Sequence, residues 1–121
     1  MSLSHRITEA EMLVVGSDVF TLPFKLIGIR RILRLSPTPS REEVNTIKRE
    51  LEDLIEKKRK TLIIVEEEYV DYFRDLIEKS RYMIYPVFLI LPGPSRIDTH
   101  DPKEYYLKKI RGVLGISVEL G

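Results

Sequence analysis

Apolar residues in this chain fall into short unbroken runs, and between them lie stretches whose apolar positions recur at helical spacing. Met12-Leu13-Val14-Val15 is the first run, closed by Gly16-Ser17-Asp18, and it predicts a buried strand followed by a turn. Phe20, Phe24, Ile27 and Gly28 then share one face of a short helix, with Pro23 placed in its first turn, where a missing N–H costs little. Ile29 to Leu35 predicts a second strand, ended by Ser36-Pro37-Thr38-Pro39.

Ser40 with Glu43 three residues on has the form of a capping box, and Val44, Ile47, Leu51, Leu54 and Ile55 follow on one stripe, predicting a helix over about Arg41 to Arg59. Acids in its first turn and Lys57, Lys58, Arg59 and Lys60 at its end complement the helix dipole. Thr61-Leu62-Ile63-Ile64-Val65 predicts a buried strand rich in β-branched residues, and Glu66-Glu67-Glu68 is expected to open a helix carrying Tyr69, Val70, Phe73, Leu76 and Ile77 inward. Pro86 to Leu91 predicts the last strand, stopped by Pro92-Gly93-Pro94. Asp101-Pro102 starts a closing helix as N-cap and N1, with Tyr106, Leu107 and Ile110 facing inward.

Half-exposed antiparallel strands would alternate polar and apolar residues, so continuous apolar runs alternating with amphipathic helices imply strands covered on both faces. The expected fold class is therefore α/β: a small four-stranded, mostly parallel sheet with helices on both faces, flavodoxin-like or receiver-like, plus a C-terminal helix. A single domain over residues 1–121 is expected, with its core at about 11–100 and a helical segment at about 101–121.

Charge changes the picture by what it excludes. With 20 Lys plus Arg against 19 Asp plus Glu, the net charge of +1 supplies no global field toward nucleic acid or anionic lipid. The absence of cysteine excludes disulfides, thiol nucleophiles and thiolate metal sites, leaving only His5 and His100 as imidazole ligands. No apolar run approaches the about 20 residues that span a bilayer, and Met1-Ser2-Leu3-Ser4-His5-Arg6 lacks the apolar region of a signal peptide, so a cytoplasmic location is expected. Charged residues at 32%, a lone Asn45 and no Gln suit a thermophilic source.

Ligands of open parallel sheets sit beyond the carboxyl ends of the strands, which singles out Gly16-Ser17-Asp18, Glu66-Glu67-Glu68 and Pro92-Gly93-Pro94-Ser95. Gly16 stands alone, without the further glycines and lysine of a phosphate-binding loop. A receiver-like phosphoacceptor needs an aspartate after the third strand, where Val65-Glu66 stands, and a lysine after the last, where none follows Leu91. Asp18 and Glu66 remain a candidate magnesium pair, set against the plainer roles of turn and helix-start acids. No Gly-x-Ser-x-Gly elbow surrounds any serine, and His100 has no second histidine nearby to form a metal site. Six tyrosines could stack on bases, but no RNA-binding motif accompanies them; Tyr69 and Tyr106 are expected in the core. No catalytic, metal or cofactor site and no nucleic-acid role is expected.

Gly16-Ser17-Asp18 followed by Phe24-Lys25-Leu26-Ile27-Gly28-Ile29 resembles the opening of the F subunit of archaeal and vacuolar-type rotary ATPases. Leu62-Ile63-Ile64-Val65-Glu66-Glu67, Pro86 to Pro92, and Asp101-Pro102 through Ile110-Arg111-Gly112-Val113 to Gly115-Ile116 resemble later landmarks of that family, in the same order. Ser17, Pro23, Lys25 and Ile27 depart from its usual residues. The resemblance implies a non-catalytic central-stalk rotor component of an A-type or V-type ATP synthase, peripheral to the membrane through the complex. It also implies binding to the coiled-coil D subunit of the central stalk and transient contact with the catalytic A and B subunits. It places Asp18, Phe24, Lys25, Leu26 and Gly28, and the cations Lys103, Lys108, Lys109 and Arg111, as partner-binding candidates, with Gly112 and Gly115 as helix stop or hinge. The alternatives are a degenerate receiver-like interaction domain that is not phosphorylated, and a small metal enzyme using Asp18 and Glu66.

Overall fold

Residues 12–114 are described by the computed structural model, and within them the apolar runs form the strands of one sheet. The elements are β1 (Met12–Gly16), α1 (Asp18–Leu26), β2 (Ile32–Arg34), α2 (Arg41–Glu56), β3 (Leu62–Glu66), a 3-10 segment (Glu67–Phe73), α3 (Arg74–Ser80), β4 (Val87–Leu91), a 3-10 turn (Pro94–Arg96) and α4 (Pro102–Leu114). The strand order is β2-β1-β3-β4 with every pairing parallel, Leu13 beside Ile63 and Ile63 beside Phe88.

Strand periodicity divides the core in two. Leu13, Val15, Ile63 and Val65 point to one face, where they meet Val44, Ile47, Leu51, Leu54 and Ile55 of α2, with Phe73 and Leu76 beyond. Met12, Val14, Leu62 and Ile64 point to the other face and meet Phe20 and Phe24 of α1 and Tyr106 and Ile110 of α4. Each such buried side chain stabilises the fold by roughly 1.5–3 kcal/mol relative to exposure, which explains why the strands carry no polar face. With α1 on one face and α2 and α3 on the other, and the strand order reversing after β2, the three crossovers share one hand, as parallel sheets require.

α2 starts as its capping box predicts: Ser40 Oγ accepts from Glu43 N at 3.1 Å and Glu43 Oε1 accepts from Ser40 N at 3.1 Å. Glu43 also accepts from Ser36 N and Oγ, at 3.0 and 2.8 Å, and these bonds hold its carboxyl below the usual glutamate range.

Four boundaries differ from the sequence expectation. α1 begins at Asp18 with Ser17 as N-cap, so Pro23 lies beyond the first turn and denies Val19 O its helical donor. Ile27 caps that helix and Gly28 takes φ +104, a conformation glycine adopts without strain, so β2 starts only at Ile32. α2 ends at Glu56, leaving Lys57 as C-cap and Lys58 at φ 52; the basic run is turn, and Lys57 pairs with Asp53 at 3.2 Å. β3 runs through Glu66, and a 3-10 segment precedes α3, so the acidic triplet does not open a helix as a unit.

Candidate functional site

The chain order reverses between β1 and β3, and in open parallel sheets a crevice at that reversal receives the ligand. The structure brings together the three loops singled out from sequence, and the side chain of Glu66 fills the space among them. Parity decides this: Glu66 follows Leu62 and Ile64 onto the face shared by α1 and α4, where it is 3% exposed.

Glu66 Oε1 accepts from Ser17 N at 2.8 Å, satisfying an N–H at the start of α1 that has no partner within the helix, while Ser17 Oγ accepts from Phe20 N at 3.3 Å. Both neighbouring loops contribute glycine where the carboxylate passes. A Cβ at Gly16 would lie 2.6 Å from the Phe20 ring and 2.8 Å from Glu66 Oε1, and one at Gly93 would lie 2.8 Å from Glu66 Oε2. A carboxylate of the protein thus stands at the helix terminus where this fold receives a ligand's anionic group.

Burial pushes the Glu66 carboxyl above the usual glutamate range, opposed by the Ser17 hydrogen bonds and reinforced by the nearby charge of Glu68. Tyr106 donates to Pro92 O at 2.7 Å, tying α4 to the loop after β4. Its ring stacks on Phe24 at 4.7 Å and meets Phe20 edge-on at 5.4 Å, and burial raises its phenol well above the ordinary value, with the Glu66 charge adding to the shift. Tyr69, also buried, donates to Ser36 O at 3.0 Å.

Asp18 and Glu66 do not converge on a cation. The Asp18 carboxylate is exposed and faces Arg34 at 3.5 Å, whereas that of Glu66 is turned inward. Among the described residues no three His, Cys, Asp or Glu side chains form a group able to hold a metal ion. His100 lies in an exposed loop, and His5 lies outside the described residues.

Of the partner-binding candidates on the first helix and its loop, Asp18, Lys25, Leu26 and Gly28 are exposed, while Phe24 is fully buried and supports the helix from beneath. On α4, Lys103, Lys108 and Lys109 are exposed, with Lys109 Nζ 5.4 Å from the Tyr105 ring centre. Arg111 differs: it is half-buried, and its Nε is enclosed without a hydrogen-bond partner among the described residues. Gly112 lies inside α4 and does not stop it; Gly115 and the segment after Leu114 lie outside the described residues.

Two exposed apolar groups stand out, and of their residues Val19, Leu22 and Ile84 were not among the sequence candidates: Val19, Leu22 and Leu26 on the outer side of α1, and Tyr82 and Ile84 before β4. No helix among the described residues is long and apolar enough to cross a membrane.

A protein-family model described as the ATP synthase (F/14-kDa) subunit matches residues 12–110 of the chain. No curated protein and no solved structure matches it.

Proposed function

The chain belongs to the ATP synthase (F/14-kDa) subunit family, and on that premise we propose that it is a non-catalytic rotor component in the central stalk of an archaeal A-type or V-type ATP synthase. In that role it couples and regulates ATP turnover and ion transport while other chains bind the nucleotide. The observation that supports a non-catalytic part is the filled crevice: Glu66, fixed by Ser17 N at 2.8 Å and flanked by Gly16 and Gly93, takes the place of a ligand.

A rotor part needs a rigid body, and the two-sided core with its four parallel strands supplies one. It also needs surfaces. Asp18, Lys25, Leu26 and Gly28 offer contacts for the coiled-coil D subunit, and Lys103, Lys108 and Lys109, with Arg111 beside them, offer charge to the catalytic A and B subunits. Such a component resides on the cytoplasmic side, held at the membrane only through the complex.

Co-purification with the coiled-coil stalk subunit of the same organism tests this, read by size-exclusion chromatography with light scattering. A one-to-one heterodimer is expected; a lone monomer at every salt concentration would overturn the rotor assignment.

A further inference from the structure

A surface helix ordinarily carries its apolar residues on one stripe and polar residues outside. α2 obeys this rule, with Val44, Ile47, Leu51, Leu54 and Ile55 inward and exposed charged residues between them. α1 does not. Its inner side is formed by Phe20, Pro23 and Phe24, and its outer side by Val19, Leu22 and Leu26, exposed by 66%, 51% and 65%.

The outer residues have a particular spacing, three then four, which is the a-d-a spacing of a heptad. Lettered that way, Val19 and Leu26 take a, Leu22 takes d, and Asp18 and Lys25 both take g, the position that flanks a coiled-coil seam with charge. Asp18 is engaged by Arg34 at 3.5 Å, while Lys25 makes no ion pair among the described residues. The stripe spans two helical turns, about 10 Å at 1.5 Å per residue.

We propose that the outer face of α1 is the seat of a coiled-coil partner: one partner helix lays apolar residues between Val19, Leu22 and Leu26 and sets an acidic side chain opposite Lys25. The inference rests on the rotor reading, which supplies a long coiled coil as partner, and adds to it the face, the packing mode and the sign of the flanking charge. A helical occupant is chosen over a strand or a flat patch because only a helix presents side chains at matching intervals along a stripe of this spacing. The second exposed apolar group, Tyr82 and Ile84, lies in the loop before β4 and has no helical register to offer.

The test is binding of the full chain to the purified coiled-coil stalk subunit by isothermal titration calorimetry. The triple substitution Val19→Gln, Leu22→Gln and Leu26→Gln keeps a good helix former at the two leucine sites and changes only exposed positions. It should weaken binding about a hundredfold, which is about 2.8 kcal/mol at 1.4 kcal/mol per tenfold, with the far-ultraviolet spectrum unchanged. Lys25→Glu, a single exposed change that guards against misfolding of the triple variant, should weaken binding about tenfold at low salt and less at high salt. Tyr82→Ser with Ile84→Ser should bind like the wild type. Unchanged affinity in both α1 variants, or loss confined to the Tyr82 and Ile84 variant, overturns the assigned face and leaves the rotor reading standing. A wild-type chain that does not bind the coiled-coil partner overturns the rotor reading itself.

Discussion

Replacing Gly93 by alanine isolates the contact that closes the crevice. Gly93 has φ −66 and ψ 163, values any residue adopts, so the substitution meets no backbone strain. In open space it would stabilise the fold by about 0.4–1 kcal/mol by restricting the unfolded chain. The space is not open: the new methyl would lie 2.8 Å from Glu66 Oε2, inside the 3.4 Å at which ordinary contact begins. The carboxylate cannot swing freely, because its other oxygen accepts from Ser17 N at 2.8 Å, and the loop cannot retreat freely, because Tyr106 grips Pro92 O at 2.7 Å. Overpacking of this kind costs about 1–3 kcal/mol, so Gly93→Ala should destabilise the wild type by about 1–2 kcal/mol net. In a Glu66→Ala background the obstacle is gone, and the same substitution should be neutral or slightly stabilising. Urea unfolding of the four proteins at neutral pH measures the coupling, which should reach about 1.5 kcal/mol, or about 6 °C in melting temperature. Equal cost of Gly93→Ala in both backgrounds would refute the reasoning, since it would place the obstruction somewhere other than the Glu66 carboxylate.

Glu66→Gln should change how stability depends on pH. Because the native state holds the Glu66 proton more tightly than the unfolded chain does, its contribution is fully present below the ordinary glutamate pKa of 4.5 and is lost as pH rises through the higher native value. Glutamine keeps the shape and an acceptor for Ser17 N without ionising, so the wild type should lose stability relative to the variant between acid and neutral pH. Glu68 is present in both proteins, so the difference reports the ionisation of Glu66 together with the part of its shift that Glu68 supplies; a difference that stays constant across unfolding curves from pH 4 to pH 7 would sink the idea. Ser40→Ala removes the acceptor for Glu43 N at 3.1 Å and should cost about 1 kcal/mol by thermal unfolding, near 4 °C, as a lost N-cap does. No loss would mean that the bonds of Glu43 to Ser36 and to Ser40 N hold the start of α2 without it.

Strands β1 and β3 were legible because burial on both faces forbids polar residues along them, β4 because its run stays apolar though only half-buried at the sheet edge, and α2 because a capping box and an apolar stripe state its start and its inward side. The end of β3 was not legible. Glu66, Glu67 and Glu68 are chemically alike, and an acidic triplet after an apolar run is also what opens a helix. Only the pairing of Glu66 with Leu91 in the parallel register keeps it in the sheet, and that pairing belongs to a residue distant in sequence. Once in the sheet its side chain must follow Leu62 and Ile64 to the α1 face, and the glycines at 16 and 93 then acquire a reason. The three loops singled out from sequence do meet beyond the strand ends, while the residue that lies among them depended on a strand register.

The outer face of α1 was hidden differently. Val19, Leu22 and Leu26 interleave in sequence with Phe20 and Phe24, and apolar periodicity alone does not say which of two interleaved sets enters the core. Tyr106 settles it, for its ring packs against Phe20 and Phe24 from α4, more than eighty residues along the chain. The set left outside is then large, apolar and regularly spaced, at odds with a chain that otherwise places charge on its helix surfaces. An isolated protein gains nothing from exposing it. A member of a multichain complex does, because side chains that are a surplus in the free chain become core when a partner helix covers them. The same reasoning separates two neighbouring surfaces: the crevice at the strand termini is closed by a residue of this chain, Glu66, while the outer face of α1 is covered by none of the described residues.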